Sequence, residues 1–352
     1  MNPTISRSTL LPVNHTQPSF HDFLDLTNEE LGRFDLAYVN LVCASGLPGT
    51  QNINIKLFQD ILDRAAEQVE YNTQRCPWFL DHPEKYGNSF NLFRIHVMTS
   101  VLKRDFGFKY NQACISEDTT PRPIDTFIHG LLLGSGGNCA SMPVLFTAVG
   151  RRLNYPLKLV KAKNHYFVRW DEDGGERFNI EITNLQGFNS YPDEHYRQFK
   201  FPMTPEEEVG GSFLVSMSPK QELAAFLYER GCCWLWMKEY QKAVESLIWA
   251  KITEPENLVY GSGVCQVLKE WGETLQASLP PNFPAVGRVM PKKRRYPSHI
   301  VPAEIEQQIM ILETLQKVFE NPQHQSWWES LCQSPNSRPP DVPRRIKVRL
   351  DQ

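Results

Sequence analysis

Apolar residues recur along this chain with two periods. Leu57, Ile61, Leu62, Ala65 and Val69 fall at helical spacing and predict a helix over about Ile55–Arg75. Before it, Thr27-Asn-Glu-Glu30 has the form of a capping box and opens a helix to about Ser45, which GLPG (46–49) ends. Ser89 can cap a third helix, whose apolar face is Leu92, Ile95, Val101 and Leu102. Residues 116–123 are polar and predict a loop, followed by a short apolar run, Phe127–Leu133.

The turn Gly134-Ser-Gly-Gly-Asn138 then leads into a helix beginning at Cys139, with Met142, Leu145, Val149 and Leu153 on one face. Pro143 fits its first turn, where the missing N–H is not needed, and Asn154 before Tyr-Pro156 is a helix stop. Beyond it the period shortens to two. Strands are expected at Leu157–Ala162, His165–Trp170 and Arg177–Thr183. With Glu172-Asp-Gly174 as a three-residue hairpin loop, His165 stands opposite Glu181, with Cβ atoms roughly 5 Å apart. The other face gathers Tyr166, Val168 and Trp170 against Phe178, Ile180 and Ile182. That register also sets Arg169 against Arg177, and a slip of two residues keeps the same faces.

From Pro219 the pattern is helical again. Residues 280–302 are proline-rich, and a last amphipathic helix spans about Ala303–Asn321. The expected plan is a polar arm (1–26), a mixed domain (27–210), a helical region (211–279), a proline-rich linker (280–303), and a helix with a basic tail (304–352). The fold class is α+β, a cysteine-bearing helix on an antiparallel sheet flanked by helical parts.

Composition narrows the chemistry mainly by exclusion. The chain has 352 residues, 41% hydrophobic and 22% charged, with a formal net charge of −3, so nothing demands a polyanionic partner. It contains no apolar run long enough for a membrane helix, and its first residues lack the apolar stretch of a signal peptide. Eight scattered cysteines without a CxxC pair suggest reduced thiols and a cytoplasmic setting. GSGGN (134–138) lacks the Gly-Lys-Ser/Thr of a phosphate loop, and no His-Glu-x-x-His or comparable zinc cluster occurs. No cofactor or metal is therefore expected. The basic residues Lys292–Arg295, Arg344, Arg345, Lys347 and Arg349 read as a solvated end rather than a nucleic-acid handle, and Trp327-Trp328 as an anchor for that tail.

One thiol is differently placed. Cys139 lies at a helix N-terminus, where unpaired N–H groups and the macrodipole favour a thiolate and can also hold an oxyanion. His165 is the candidate base and Glu181 the candidate orienting group. Asn179 shares the face of Glu181, and an amide can also orient a histidine; Asn138, beside the nucleophile, is a secondary candidate.

The order Gly-x-Cys139, Leu153-Asn-Tyr-Pro156, His165 opening a strand, then Glu181-Ile-Thr183 resembles the transglutaminase-like superfamily over about residues 134–183. The resemblance implies a papain-like core and a thiol enzyme that hydrolyses or transfers an acyl group of a protein or peptide substrate. Glu181 stands where that family usually has Asp, and Tyr166-Phe replaces its common Ala-Trp. Residues 224–257 are similar to one tetratricopeptide repeat, with Gly231, Tyr240, Ala243, Leu247, Ala250 and Pro255 at its spacing. A helical pair packed on the core is the simpler expectation, and a protein partner bound through residues 219–279 the other. The alternative to an enzyme is a non-catalytic interaction scaffold on the same fold.

Overall fold

The computed structural model describes residues 18–281, 286 and 301–320, apart from residues 52, 77, 116–121, 185, 186 and 200. The arm before residue 18, the expected loop at 116–121, Lys292–Arg295, Trp327-Trp328, Cys332 and the basic tail lie outside the described residues. The chain falls into two compact units, divided between Glu254 and Pro255.

The first unit mixes helices with one antiparallel sheet and is α+β. Thr27 forms its capping box with Glu30, but that helix covers only Asn28–Leu31. The expected single helix is broken because Gly32 caps the first piece and the Asp35 carboxylate takes the Tyr38 N–H, restarting it as α1 (Leu36–Ala44). α2 spans Ile55–Arg75, and α3 (Phe90–Ser100) is capped by Ser89. α4 (Ser141–Arg152) packs against α1 and α2 and also against strands β1 (Leu157–Ala162) and β2 (His165–Asp171). Asn154 ends it in the left-handed conformation (φ 58°), with the Tyr155 N–H donating to Gly150 O.

The sheet has the order β1-β2-β3, with β3 at Arg177–Ile180. Its register corrects the sequence expectation by two residues: Arg169 faces Asn179, Trp170 faces Phe178 and Asp171 faces Arg177. The cause lies in the turn. Glu172 pairs with Glu176, and the Gly175 N–H closes back on Glu172 O over Gly174 at φ 67°. Left-handed backbone at the third turn position suits glycine, so the loop is Asp173-Gly174-Gly175. The arginine–arginine opposition disappears: Arg177 pairs with Asp171 at 3.3 Å and Arg169 donates to Asn179 at 2.7 Å. β3 is shorter than expected because Glu181 leaves the β2 ladder and exchanges both backbone bonds with Asn189.

Beyond the sheet, α5 (Asp193–Gln198) meets β2 through Tyr196, stacked on Phe167, and Asp193, bonded to Arg169. α6 (Pro219–Trp236) and α7 (Tyr240–Thr253) pack as a pair, close enough that a Cβ at Gly231 would meet the Leu247 side chain at 2.6 Å. In the second unit, α8 (Leu258–Ala277) packs with α9 (Ala303–Glu320), and Trp271 donates to Gln308. Among the described residues no helix is long and apolar enough to cross a membrane.

Candidate active site

Cys139 occupies the turn that opens α4, and three devices hold that turn. The Asn138 side-chain oxygen accepts the N–H groups of Ala140 (2.8 Å) and Ser141 (3.3 Å), so Asn138 acts as the helix cap. The Asn138 N–H donates to Asp125 O, and the Ser141 hydroxyl donates to the same carbonyl at 2.5 Å. Asp125 is fully buried, its carboxylate held by Asn111 (2.8 Å) and Arg122 (2.7 Å). Gly137 has no room for a side chain: a Cβ there would strike the Ser141 hydroxyl and lie 2.8 Å from Leu131. Gly136 and Gly137 are thus closely packed, and the Asn138 side chain is engaged with the first turn of the helix.

His165 opens β2 and is 3% exposed. Its Nε2 lies 2.7 Å from Oε2 of Glu181, which is itself buried. The two residues are not cross-strand partners. In the observed register Glu181 lies one residue past Ile180, which faces Val168, and so reaches His165 diagonally. Diagonal neighbours on one sheet face are about 7–8 Å apart, their Cβ atoms somewhat less, a span that glutamate closes more readily than aspartate. The other carboxylate oxygen accepts the Thr183 hydroxyl (2.6 Å) and N–H (3.0 Å), and the Tyr196 hydroxyl stands 3.4 Å from Oε2. With Nε2 engaged, Nδ1 is buried without a hydrogen-bond partner among the described residues, while the Cys139 thiol lies close enough to interact with the ring. Burial alone would lower the imidazole pKa; the neighbouring Cys139 and Glu181 more than offset it and raise it to about 9. Glu181 is held below its ordinary value, the bonds from His165 and Thr183 outweighing the cost of burial.

Asn179 does not reach His165. Its oxygen accepts from Arg169, and its amide nitrogen donates to Tyr191 O (2.9 Å) and Asp193 (2.8 Å). Between the two orienting candidates, the structure brings Glu181 to the histidine and gives Asn179 to the arginine.

Several residues around the site were not singled out in the sequence. Tyr196 of α5 stacks on Phe167 (3.8 Å between ring centroids) while reaching Glu181. Lys103 donates to the carbonyls of Ile182, Asn184 and Gly187 at 2.6–2.7 Å and so pins the segment that follows Glu181. No local pattern announces either contact, since each joins residues far apart in sequence or bonds to backbone alone.

The other thiols differ in setting. Burial pushes Cys43 and Cys232 up to about 12 and Cys114 up to about 11, and Cys233 well above its ordinary value. Cys265 is exposed. Among the described residues no group of three or more His, Cys, Asp or Glu side chains is arranged to hold a metal ion.

No family model, curated protein or solved structure matches this chain.

A second buried histidine makes a useful contrast. His129 is fully buried, and neither ring nitrogen has a hydrogen-bond partner among the described residues. Burial pushes its pKa down to about 4, with Asp125 opposing. Because the folded value lies below the ordinary 6.5, the stability tied to the neutral ring is present above that value and is lost as pH falls from 6.5 towards 4. His129→Leu should remove this slope, which amounts to roughly 2 kcal/mol between pH 7 and pH 5. Urea unfolding at the two pH values checks this, and an unchanged slope in the variant would refute it.

Proposed function

We propose that this chain is a thiol enzyme with a transglutaminase-like, papain-like core, acting on an amide or ester through an acyl-enzyme at Cys139. The observation that carries this reading is the buried Glu181–His165 pair, which fixes the imidazole through Nε2 and leaves Nδ1 for the thiol. In the proposed reaction His165 takes the Cys139 proton and the sulfur adds to the acyl carbon. The tetrahedral adduct then expels its amine or alcohol, which receives the proton from His165. Water or an amine next attacks the thioester, with His165 as base again and Glu181 stabilising the imidazolium; the carbon–sulfur bond then breaks and His165 returns the proton to the Cys139 sulfur. The acyl donor on this reading is a protein or peptide, and α6 and α7 are a surface available to a protein partner.

Exposed Cys265 supplies an internal reference. Limited iodoacetamide labelling, mapped by mass spectrometry, should modify Cys139 at least about 10-fold faster than Cys265, and His165→Ala should erase the difference. Equal rates at the two cysteines in the unaltered protein would end this reading and favour the scaffold alternative.

A further inference from the structure

The Glu181 carboxylate is only as fixed as the backbone that carries it. Glu181 lies outside the β2 ladder, and its segment is closed instead by two backbone bonds. The Glu181 N–H donates to Asn189 O (2.8 Å) and the Asn189 N–H donates to Glu181 O (3.0 Å). Between those ends the carbonyls of Ile182, Asn184 and Gly187 converge on one atom, Nζ of Lys103, at 2.7, 2.6 and 2.7 Å. An ammonium has three N–H donors, so each carbonyl can take one. Thr183, between the first two of these residues, is the one whose N–H and hydroxyl bind Glu181. The cation, the threonine and the carboxylate thus share one stretch of backbone.

Lys103 reaches that stretch from a firm base. It sits in a π-helical turn, Val101–Asp105, that continues α3, with the Phe106 N–H donating to Val101 O at 3.1 Å. Such wide turns are rare and recur at functional sites. Val101 and Leu102 are buried, which anchors the turn in the core. Burial lowers the Lys103 pKa to about 8, with Glu181 opposing, so the ammonium is charged at neutral pH. Without a cation between them, three convergent carbonyl dipoles repel one another.

Resting on the thiol reading above, we infer that Lys103 is a positioning residue for the proposed reaction: its ammonium orders the segment that follows Glu181, and so sets the carboxylate that orients His165. Lys103 takes no part in the proton transfers and acts only through Glu181.

The test removes the cation and returns it from solution. At pH 7, Lys103→Ala should slow acylation of Cys139 by p-nitrophenyl acetate about 10- to 100-fold, the scale of a small misplacement near a reacting centre. n-Propylammonium supplies the atoms that this substitution removes and should recover most of the loss. Tetramethylammonium, which has no N–H, should recover none. All rates are corrected with variants that also carry Cys139→Ala. In a Glu181→Ala background, where no carboxylate is left to position, Lys103→Ala should change acylation by less than about twofold. A lysine that merely stabilises the fold would lower the rate alike with and without Glu181, and that result overturns the inference. So does unchanged acylation in Lys103→Ala, or an equal response to the two ammonium ions. If Lys103→Ala does not fold, Lys103→Met keeps the stem and carries the same comparison with and without Glu181. Failure of the thiol reading is seen separately, as unlabelled Cys139 in the unaltered protein, and takes this inference with it.

Discussion

Replacing Glu181 by alanine is expected to slow acylation of Cys139 by p-nitrophenyl acetate about 10³-fold or more, the scale seen when the orienting carboxylate of a triad is removed. On the proposed mechanism Glu181 fixes which ring nitrogen carries a proton and stabilises the imidazolium that forms when the thiol gives up its own. Thr183 and Tyr196 donate to the same carboxylate, so its position is set before any substrate arrives. Glu181→Gln should keep the shape and lose the charge. In that variant burial of His165 meets less opposition, and the imidazole pKa should drop from about 9 towards the ordinary histidine value or below.

The sign of the stability change follows from the same shifts. The raised His165 contributes stability that is fully present below about 6.5 and is lost as pH rises through about 9. The lowered Glu181 contributes stability present above its ordinary 4.5 and lost as pH falls through its depressed value. Glu181→Gln should flatten both limbs. Acylation rates and urea midpoints measured across pH test this; a variant that acylates within about threefold of the parent would remove Glu181 from the mechanism.

How much of this was legible in the sequence depends on how local each signal is. Caps, helical faces and the strand alternation rest on neighbours a few residues apart; Ser89 and Asn154 act as read, while the buried face of α2 runs through Phe58, Leu62, Ala65, Ala66 and Val69 and leaves the expected Leu57 exposed. The face shared by His165 and Glu181 was legible because alternation survives a slip of two residues. The slip itself was not, because Gly174 and Gly175 are adjacent and either hairpin loop reads plausibly. The two loops also differ in the partner each gives Arg169: another arginine in one register, the Asn179 amide in the other. Asp125, Lys103 and Tyr196 were illegible for a related reason: each acts on the site across distant sequence, and none carries a spacing that marks it.

Arg169 is also where the largest loss of stability is expected. Its guanidinium is 1% exposed and donates to Asn179 (2.7 Å), Leu214 O (2.9 Å) and Asp193 (2.5 Å). Asn179 also donates to Asp193, the first residue of α5, so this network fastens to the sheet the helix that carries Tyr196. Arg169→Met keeps much of the apolar stem but strands a carboxylate, an amide oxygen and a backbone carbonyl. Breaking a buried ion pair from one side costs about 3–5 kcal/mol, and partial access of water to Asp193 favours the lower end. Arg169→Lys should recover less than half of that loss, because a point ammonium cannot reproduce a fork that serves three acceptors in different directions. Loosening α5 should also free Tyr196 from Glu181, so Arg169→Met should lower the His165-dependent reactivity of Cys139 while the protein is still folded. Urea unfolding and Cys139 labelling on the same variants decide the matter. A loss of stability under about 1 kcal/mol would show that the network closes without its arginine, and unchanged labelling in a destabilised protein would uncouple it from the site.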